Sequence, residues 1–347
     1  MNTFINQSLS IISVDLDPSE ETQESEDFHV EAEWREAKVD LAHHGERLDR
    51  ALVHAVPEFS RSYLQQLIDA GCVQLNAKVV TKPSLTVKAG DALAIEMRPT
   101  PQSKAFKPEP MDLQVVYEDQ DIFVIFKPAG LVVHPAPGNW TGTLLNGLLS
   151  QDPKISEVPR AGIVHRLDKD TSGLMVVARS RKAMDALVQA IAARTVSRQY
   201  LAVGHGPWSG AAVRSVEEPI GRDPRNRLRM AVVDMLKSPG KTAKTDLIYL
   251  ANSQEGCLVK CVLHTGRTHQ IRVHMAFVGH SLVGDTVYGG VVVDGMPRQA
   301  LHAFRLAFQH PVTGLALAFE APPPLDFMNL LNHWGLSYNA PAASSPA

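Results

Sequence analysis

The chain is poor in cysteine, in long apolar runs and, over its first tenth, in basic residues, and each shortage excludes something. Three cysteines in 347 residues, Cys72, Cys257 and Cys261, cannot build a disulfide framework, which fits a reducing compartment. No stretch approaches the ~18 consecutive apolar residues of a membrane helix. The N-terminus has neither the basic start nor the apolar core of a secretory signal. The expectation is a cytoplasmic protein with no membrane partner. Residues 1–34 hold nine acidic residues and no Lys or Arg. The remainder has 34 basic against 28 acidic residues, so a formal charge of -3 conceals a body of +6. A basic body suits a polyanionic partner, and a solvated surface behind an acidic tail would give the same numbers.

What is present divides along the chain. Residues 1–40 are acidic and without period, which reads as a disordered tail. Leu48, Leu52 and Ala55 recur at helical spacing up to Pro57. Ser60 is a candidate N-cap for a second helix with Leu64, Leu67 and Ile68 inward, closed by Gly71. Short strands follow at Cys72–Leu75 and Val79–Val80, around a turn at 76–78, and Leu93, Ile95 and Met97 alternate in a last one. This small module, 46–98, displays Arg47, Arg50, Arg61, Lys78, Lys82 and Lys88. A Pro-rich spacer, 99–110, separates it from a second domain, 111–330, and a low-complexity tail closes the chain over 331–347. In the second domain Val115–Tyr117, Ile122–Phe126, Leu174–Ala178, Tyr200–Val203 and Leu258–Leu263 read as strands. Thr143–Leu149 and Ser180–Arg194 read as helices, the latter with Leu187, Val188 and Ile191 on one face. Strand hairpins with inserted helices make the fold class α+β, with a mixed, largely antiparallel sheet flanked by helices.

Cys257 and Cys261 lie four apart on a strand, hence on one face, and His264 and His269 follow. His264 falls on the other face and no second cysteine pair completes a tetrahedron, so the two read as small buried hydrophobes. The densest polar cluster is GIVHRLDKDTSGLMVVARS, 162–180. As a calcium loop opening at Asp168 it would need a Glu at its twelfth position, which is Arg179. As an aspartyl-phosphate site it would need an apolar strand where His165 and Arg166 stand. An exposed turn accounts for Asp170 to Gly173 but not for His165, Arg166 and Asp168 at the entrance of an apolar strand.

The segment ERLDRALVHAVPEFSRSYLQQLIDAGCVQLNAKVV resembles the S4 domain, an RNA-binding module, over about 46–97. HRLDKDTSGLMVVARS resembles the signature of the pseudouridine synthases, in the branch that modifies ribosomal and transfer RNA. FVIFKPAGLVVHP (123–135), TGRTHQIRVHMAFVGHSLVGDTVYG (265–289) and RQALHAFRLAFQHP (298–311) resemble further blocks of that branch, in the same order. The resemblance covers most of 46–325.

The resemblance implies isomerisation of uridine to pseudouridine in large-subunit ribosomal RNA, without a cofactor or metal, by a monomer. It makes Asp168 the essential aspartate. Burial works against the ionised carboxylate, and a buried arginine beside it restores the anion. The motif HQIR assigns that arginine to Arg272, with Arg267 as second choice and otherwise an RNA contact. Tyr200 matches the active-site tyrosine, able to stack on uracil and bring its hydroxyl near C5. Relatives usually carry Lys where Arg198 stands, two residues earlier. Arg166 is placed to fill the space a flipped nucleotide leaves, and Arg47, Arg50, Arg61 and Lys78 are candidate RNA contacts. Arg222, Arg225, Arg227 and Arg229 form a basic loop, read as a phosphate-contacting edge or a solvated one. The competing expectation is an RNA-binding ribosome assembly factor without turnover.

Overall fold

Leu48, Leu52, Leu64, Leu67 and Ile68 are all fully buried, and their spacing explains the first elements of the computed structural model. It describes residues 33–57, 61–97, 106–136, 139–226, 229–293 and 295–338. The first 32 residues, Ser60 and Arg227 lie outside them. The chain divides into two compact units, Met1–Arg98 and Pro99–Ala347.

In the first unit, strand β1 (Glu33–Lys38) is followed by α1 (Leu48–Ala55), α2 (Arg61–Asp69), β2 (Val73–Leu75), β3 (Lys78–Val80) and β4 (Ala92–Met97). The sheet order is β1-β4-β2-β3, and the leucine faces of both helices share a core with Val73, Leu93 and Ile95. β1 corrects the expectation of an unstructured 1–40. Its sequence, EWREAK, has no apolar alternation, and the strand is held by backbone pairing along β4 from Glu33↔Met97 to Lys38↔Ala92. Arg47 and Arg61 are not free cations. Both converge on the buried carboxylate of Asp49, Arg61 Nη2 at 2.8 Å and Arg47 Nε at 3.1 Å from it. Those hydrogen bonds, Arg47 first, hold the Asp49 carboxyl well below the usual range against the opposing effect of burial. Arg50, Lys78, Lys82 and Lys88 are exposed.

The second unit is built on a nine-stranded sheet of β5 (Gln114–Glu118), β6 (Ile122–Lys127), β7 (Ser172–Ala178), β8 (Ser197–His205), β9 (Val213–Val216), β13 (Thr245–Asn252), β14 (Gly256–Leu263), β15 (Leu301–Gln309) and β16 (Ala316–Glu320). Its order is β5-β6-β7-β15-β8-β14-β13-β9, with β16 paired to β15. Every pairing is antiparallel except β15 with β7, and β10 (Ile220–Arg222), β11 (Met230–Val232) and β12 (Gly240–Lys241) form a small separate sheet.

Period-two alternation sends Phe123, Ile125, Met175, Val177, Tyr200, Ala202, Cys257, Val259 and Cys261 to one face. There they meet α3 (Leu144–Gln151) and α5 (Gln270–Phe277). Ile122, Val124, Leu174 and Val176 face the other way, toward α4 (Arg181–Ala192). Leu201, Val203 and Leu258 do the same toward α6 (Leu325–His333). The inner face of α4 departs from expectation: Ala183 and Leu187 are buried while Val188 is 46% exposed. The helix phase brings the small Ala183, not Val188, against the sheet. The C-terminal tail also begins later than residue 331, because Leu331, Trp334 and Leu336 belong to the core under β8. Residues 107–110 are likewise not bare spacer. The Lys107 carbonyl accepts a hydrogen bond from Asn146, and the Glu109 carboxylate accepts one from the Gly142 backbone. Among the described residues no helix is long and apolar enough to cross a membrane.

The turn between β2 and β3 carries a local cost. Asn76 and Ala77 both have positive φ, 50° and 61°, the geometry of a two-residue hairpin that favours Asn-Gly. Asn76 holds its place through Asp91 and the Ala92 backbone. Ala77 has no such compensation. Ala77→Gly is expected to stabilise the first unit by about 1 kcal/mol, read as a higher urea midpoint at unchanged slope in the full-length protein.

Candidate active site

The polar cluster lies on the loop that enters β7. The Asp168 carbonyl accepts from the Thr171 N–H, and from Ser172 the chain runs into a strand buried along its whole length. Gly173 sits where β7 first meets β15, at φ 125°, and a Cβ there would come 2.2 Å from the Ala303 carbonyl oxygen. Only glycine allows that approach.

Two buried cations pin the loop from beneath. Lys127 ends β6 fully buried, and its Nζ donates to the carbonyls of Pro128, Leu131 and Lys169 at 2.8–2.9 Å. Burial pushes this amine down to about 7, against the charges of Asp170 and Asp168, which raise it. Arg298 donates to the Asp170 carbonyl at 2.9 Å while paired with Asp326.

Arg272, on α5, is the arginine beside the aspartate. Its Nη1 is 3.2 Å from Asp168 Oδ2. Its Nε and Nη2 bind both oxygens of Asp285 at 2.6 and 2.8 Å. Burial works to lower the guanidinium pKa, but the Asp285 hydrogen bonds and the two carboxylate charges raise it above its ordinary value. The Tyr288 ring stacks 5.0 Å from the guanidinium carbon. His269 precedes α5 with φ 56°, its Nδ1 2.8 Å from the Tyr288 hydroxyl and its Nε2 3.9 Å from Asp168 Oδ1. Burial lowers its pKa, so the imidazole is neutral near pH 7.

Asp168, His269 and Arg272 wall a cavity of about 750 Å³, within the range of small-ligand sites. Asp168, Tyr200, Arg272, Arg166 and Arg267 all line it, and so do Arg160, Arg194 and Arg198. The structure thus gathers all three expected catalytic residues and two of the expected RNA contacts. Arg47, Arg50, Arg61 and Lys78 belong to the other unit. Arg229 of the basic loop is paired with Asp223 at 2.7 Å and lines a different cavity of about 330 Å³ with Phe277 and Val273. Arg267 donates to the Thr242 carbonyl rather than to Asp168. Tyr200 is 5% exposed, and burial pushes its hydroxyl up to about 12, so it is a phenol across the neutral range.

Sequence reasoning passed over Lys127, Asp285, Tyr288 and Arg298, and weighed His269 only as a metal ligand. Lys127 had a signal, a charge ending an otherwise apolar strand. Asp285 had none, because its importance arises from a partner thirteen residues away across a turn.

A family profile described as RNA pseudouridylate synthase matches residues 121–277, and the S4 domain matches 46–93. Ribosomal large subunit pseudouridine synthase D of Neisseria meningitidis serogroup B is 48% identical over 301 residues, 83% of this chain and 78% of that protein. The protein of the same name from Nitrosomonas europaea is 45% identical over 83% of this chain and 84% of its own. Human RNA Pseudouridylate Synthase Domain Containing 4 superposes with a TM-score of 0.50 at 22% identity, over 65% of this chain and 94% of that one, a likeness of fold alone. With its aspartate, arginine and tyrosine around one cavity and an S4 domain ahead of them, the chain belongs to the RNA pseudouridine synthases.

Proposed function

We propose that the protein isomerises uridines of large-subunit ribosomal RNA to pseudouridine in the cytoplasm, with Asp168 as nucleophile on a nucleotide flipped out of its stack and with no cofactor. The observation that carries this reading is Asp168 held by Arg272 in the wall of a cavity ringed with arginine. The names of the relatives supply the RNA class.

The reaction breaks the N1–C1′ bond, turns the uracil and joins C5 to C1′, with a proton leaving C5 and one gained at N1. Nothing is oxidised or reduced and no group is lost. It calls for an anion that stays ionised while desolvated, and a buried guanidinium shared with a second carboxylate serves that purpose. It also calls for a closed site that keeps the detached base. Arg160, Arg166 and Arg194 are exposed and line the cavity with no acidic partner among the described residues, an arrangement that suits phosphates. Arg166, two residues from Asp168, is the side chain placed to occupy the vacated stack. Tyr200 lines the same cavity, where a tyrosine ring can stack on uracil. In the first unit Arg50 and Lys78 remain free to meet RNA, whereas Arg47 and Arg61 share Asp49 and would contact it only through the exposed edges of their guanidinium groups.

Asp168→Asn is expected to abolish tritium release from C5 of [5-³H]uridine-labelled large-subunit ribosomal RNA in EDTA, while filter binding of the RNA stays within threefold. Release dependent on added Mg²⁺ would sink the cofactor-free mechanism, and no release by the wild type with intact binding would favour an assembly factor. Tyr200→Phe keeps the ring, so kcat should drop by about 10²–10⁴ with little change in RNA affinity. Because the phenol keeps its proton up to about 12, ionisation of Tyr200 should produce no limb in the wild-type pH–rate profile between pH 6 and 10.5. Arg50→Ala with Lys78→Ala should weaken binding equally across RNA sequences and lower the slope of log K against log salt by about 1–2.

A further inference from the structure

Arg198 is a cation without a counterpart. It is 7% exposed, its Nε is buried with no hydrogen-bond partner, and among the described residues its guanidinium has no ion pair. Arginine buried in that way costs free energy unless something else meets it. Its position says where that something would be. Arg198 and Tyr200 are two residues apart on β8, so they share a face, and both line the cavity that contains Asp168. An added Cβ on Gly266 would lie 2.8 Å from Arg198 Nη1, so the guanidinium rests on bare backbone at that glycine.

A second unmatched donor accompanies it. His165 Nε2 accepts from the Val176 N–H at 3.1 Å, which puts the imidazole proton on Nδ1. That Nδ1 is buried and unpartnered, and His165 lines the same cavity. Burial and the nearby Arg198 charge keep this histidine neutral, pushed down to about 3. The cavity wall therefore carries donors waiting for acceptors, beside a tyrosine ring.

We propose that Arg198 is the residue that reads the uracil carbonyls, holding the base by an oxygen both before and after it turns. The inference rests on the function proposed above and assigns the base-recognition element within it. Uracil has two carbonyls, O2 and O4, on either side of N3–H. Bringing C5 to the place of N1 turns the ring about the N3–C6 axis, and that turn exchanges O2 with O4. A donor fixed in the wall meets a carbonyl oxygen in both orientations, so its hydrogen bond survives the rotation. Cytosine carries an amino group at C4, and in one of the two orientations that donor would face the guanidinium. A site built to hydrogen-bond one group rejects the analogue that lacks it because its own buried polar atoms are left unpaired.

The test compares wild type, Arg198→Met, Arg198→Ala and Arg198→Lys by tritium release, by RNA filter binding and by thermal melting. Arg198→Met should lower kcat about 100-fold, the usual size for a lost donor at a reacting centre, with RNA affinity within threefold and an unchanged or higher melting temperature. Arg198→Lys should recover at least tenfold of that loss. Methylguanidinium added to Arg198→Ala, where the side-chain space is open, should restore turnover in a saturable manner. Arg198→Met turning over within threefold of wild type would overturn the assignment, and so would a loss of RNA affinity parallel to the loss of turnover, which would mark a phosphate contact. Should Arg198→Met fail to fold, Arg198→Lys decides: a folded lysine variant with wild-type turnover supports the assignment, and one as inactive as a misfolded protein overturns it. A silent wild type would overturn the function itself and this inference with it.

Discussion

A single guanidinium organises the catalytic unit. Arg272 spends two of its donors on Asp285 and a third on Asp168, so one buried cation faces two carboxylates. Charge removed from water in that way is favourable only with close geometry and saturated donors. The Asp285 pair supplies the geometry, since a bidentate guanidinium cannot rotate without breaking two bonds. Asp168 receives a positive partner whose direction is already fixed, at 3.2 Å and through one nitrogen. The looser contact is the one to Asp168.

The rest of the fold fixes the other side of that contact. Lys127 and Arg298 hold the loop through the carbonyls of Lys169 and Asp170, so neither cation occupies the Asp168 carboxylate. The same device recurs in the first unit, where Asp49 is a buried anion collecting two arginines and Gln65. There the pairing ties the start of α1 to α2, and the arginines contribute to the fold as well as to the charged surface.

Much of this was legible beforehand, for identifiable reasons. Leu48, Leu52, Leu64, Leu67 and Ile68 announce two helices because a 3.6-residue period admits few other readings, and the short apolar runs Ile122–Phe126 and Leu174–Ala178 are of strand length. Asp168, Tyr200 and Arg272 were readable through resemblance to a family, since no local pattern links residues 104 positions apart. β1 was not readable, because an edge strand pairs through its backbone and EWREAK carries no apolar rhythm. Asp285 and Arg298 were hidden because their meaning lies in a tertiary partner. The isolation of Arg198 was invisible in principle, being the absence of a neighbour.

The pairing of β7 with β15 has a consequence for synthesis. β7 begins at Ser172, and the strand that supports its start in parallel register contributes His302, 130 residues later. Arg298, which holds the carbonyl of Asp170, comes from the same late segment. The sheet and core of the first unit, by contrast, are built among the described residues from 33–97 alone. On a ribosome translating from the N-terminus, the S4 unit is complete when the nascent chain has barely reached Asp168. The loop of Asp168 lacks its supports from the late segment until nearly the whole polypeptide has emerged, so the S4 unit can fold well before the cavity of the second unit closes.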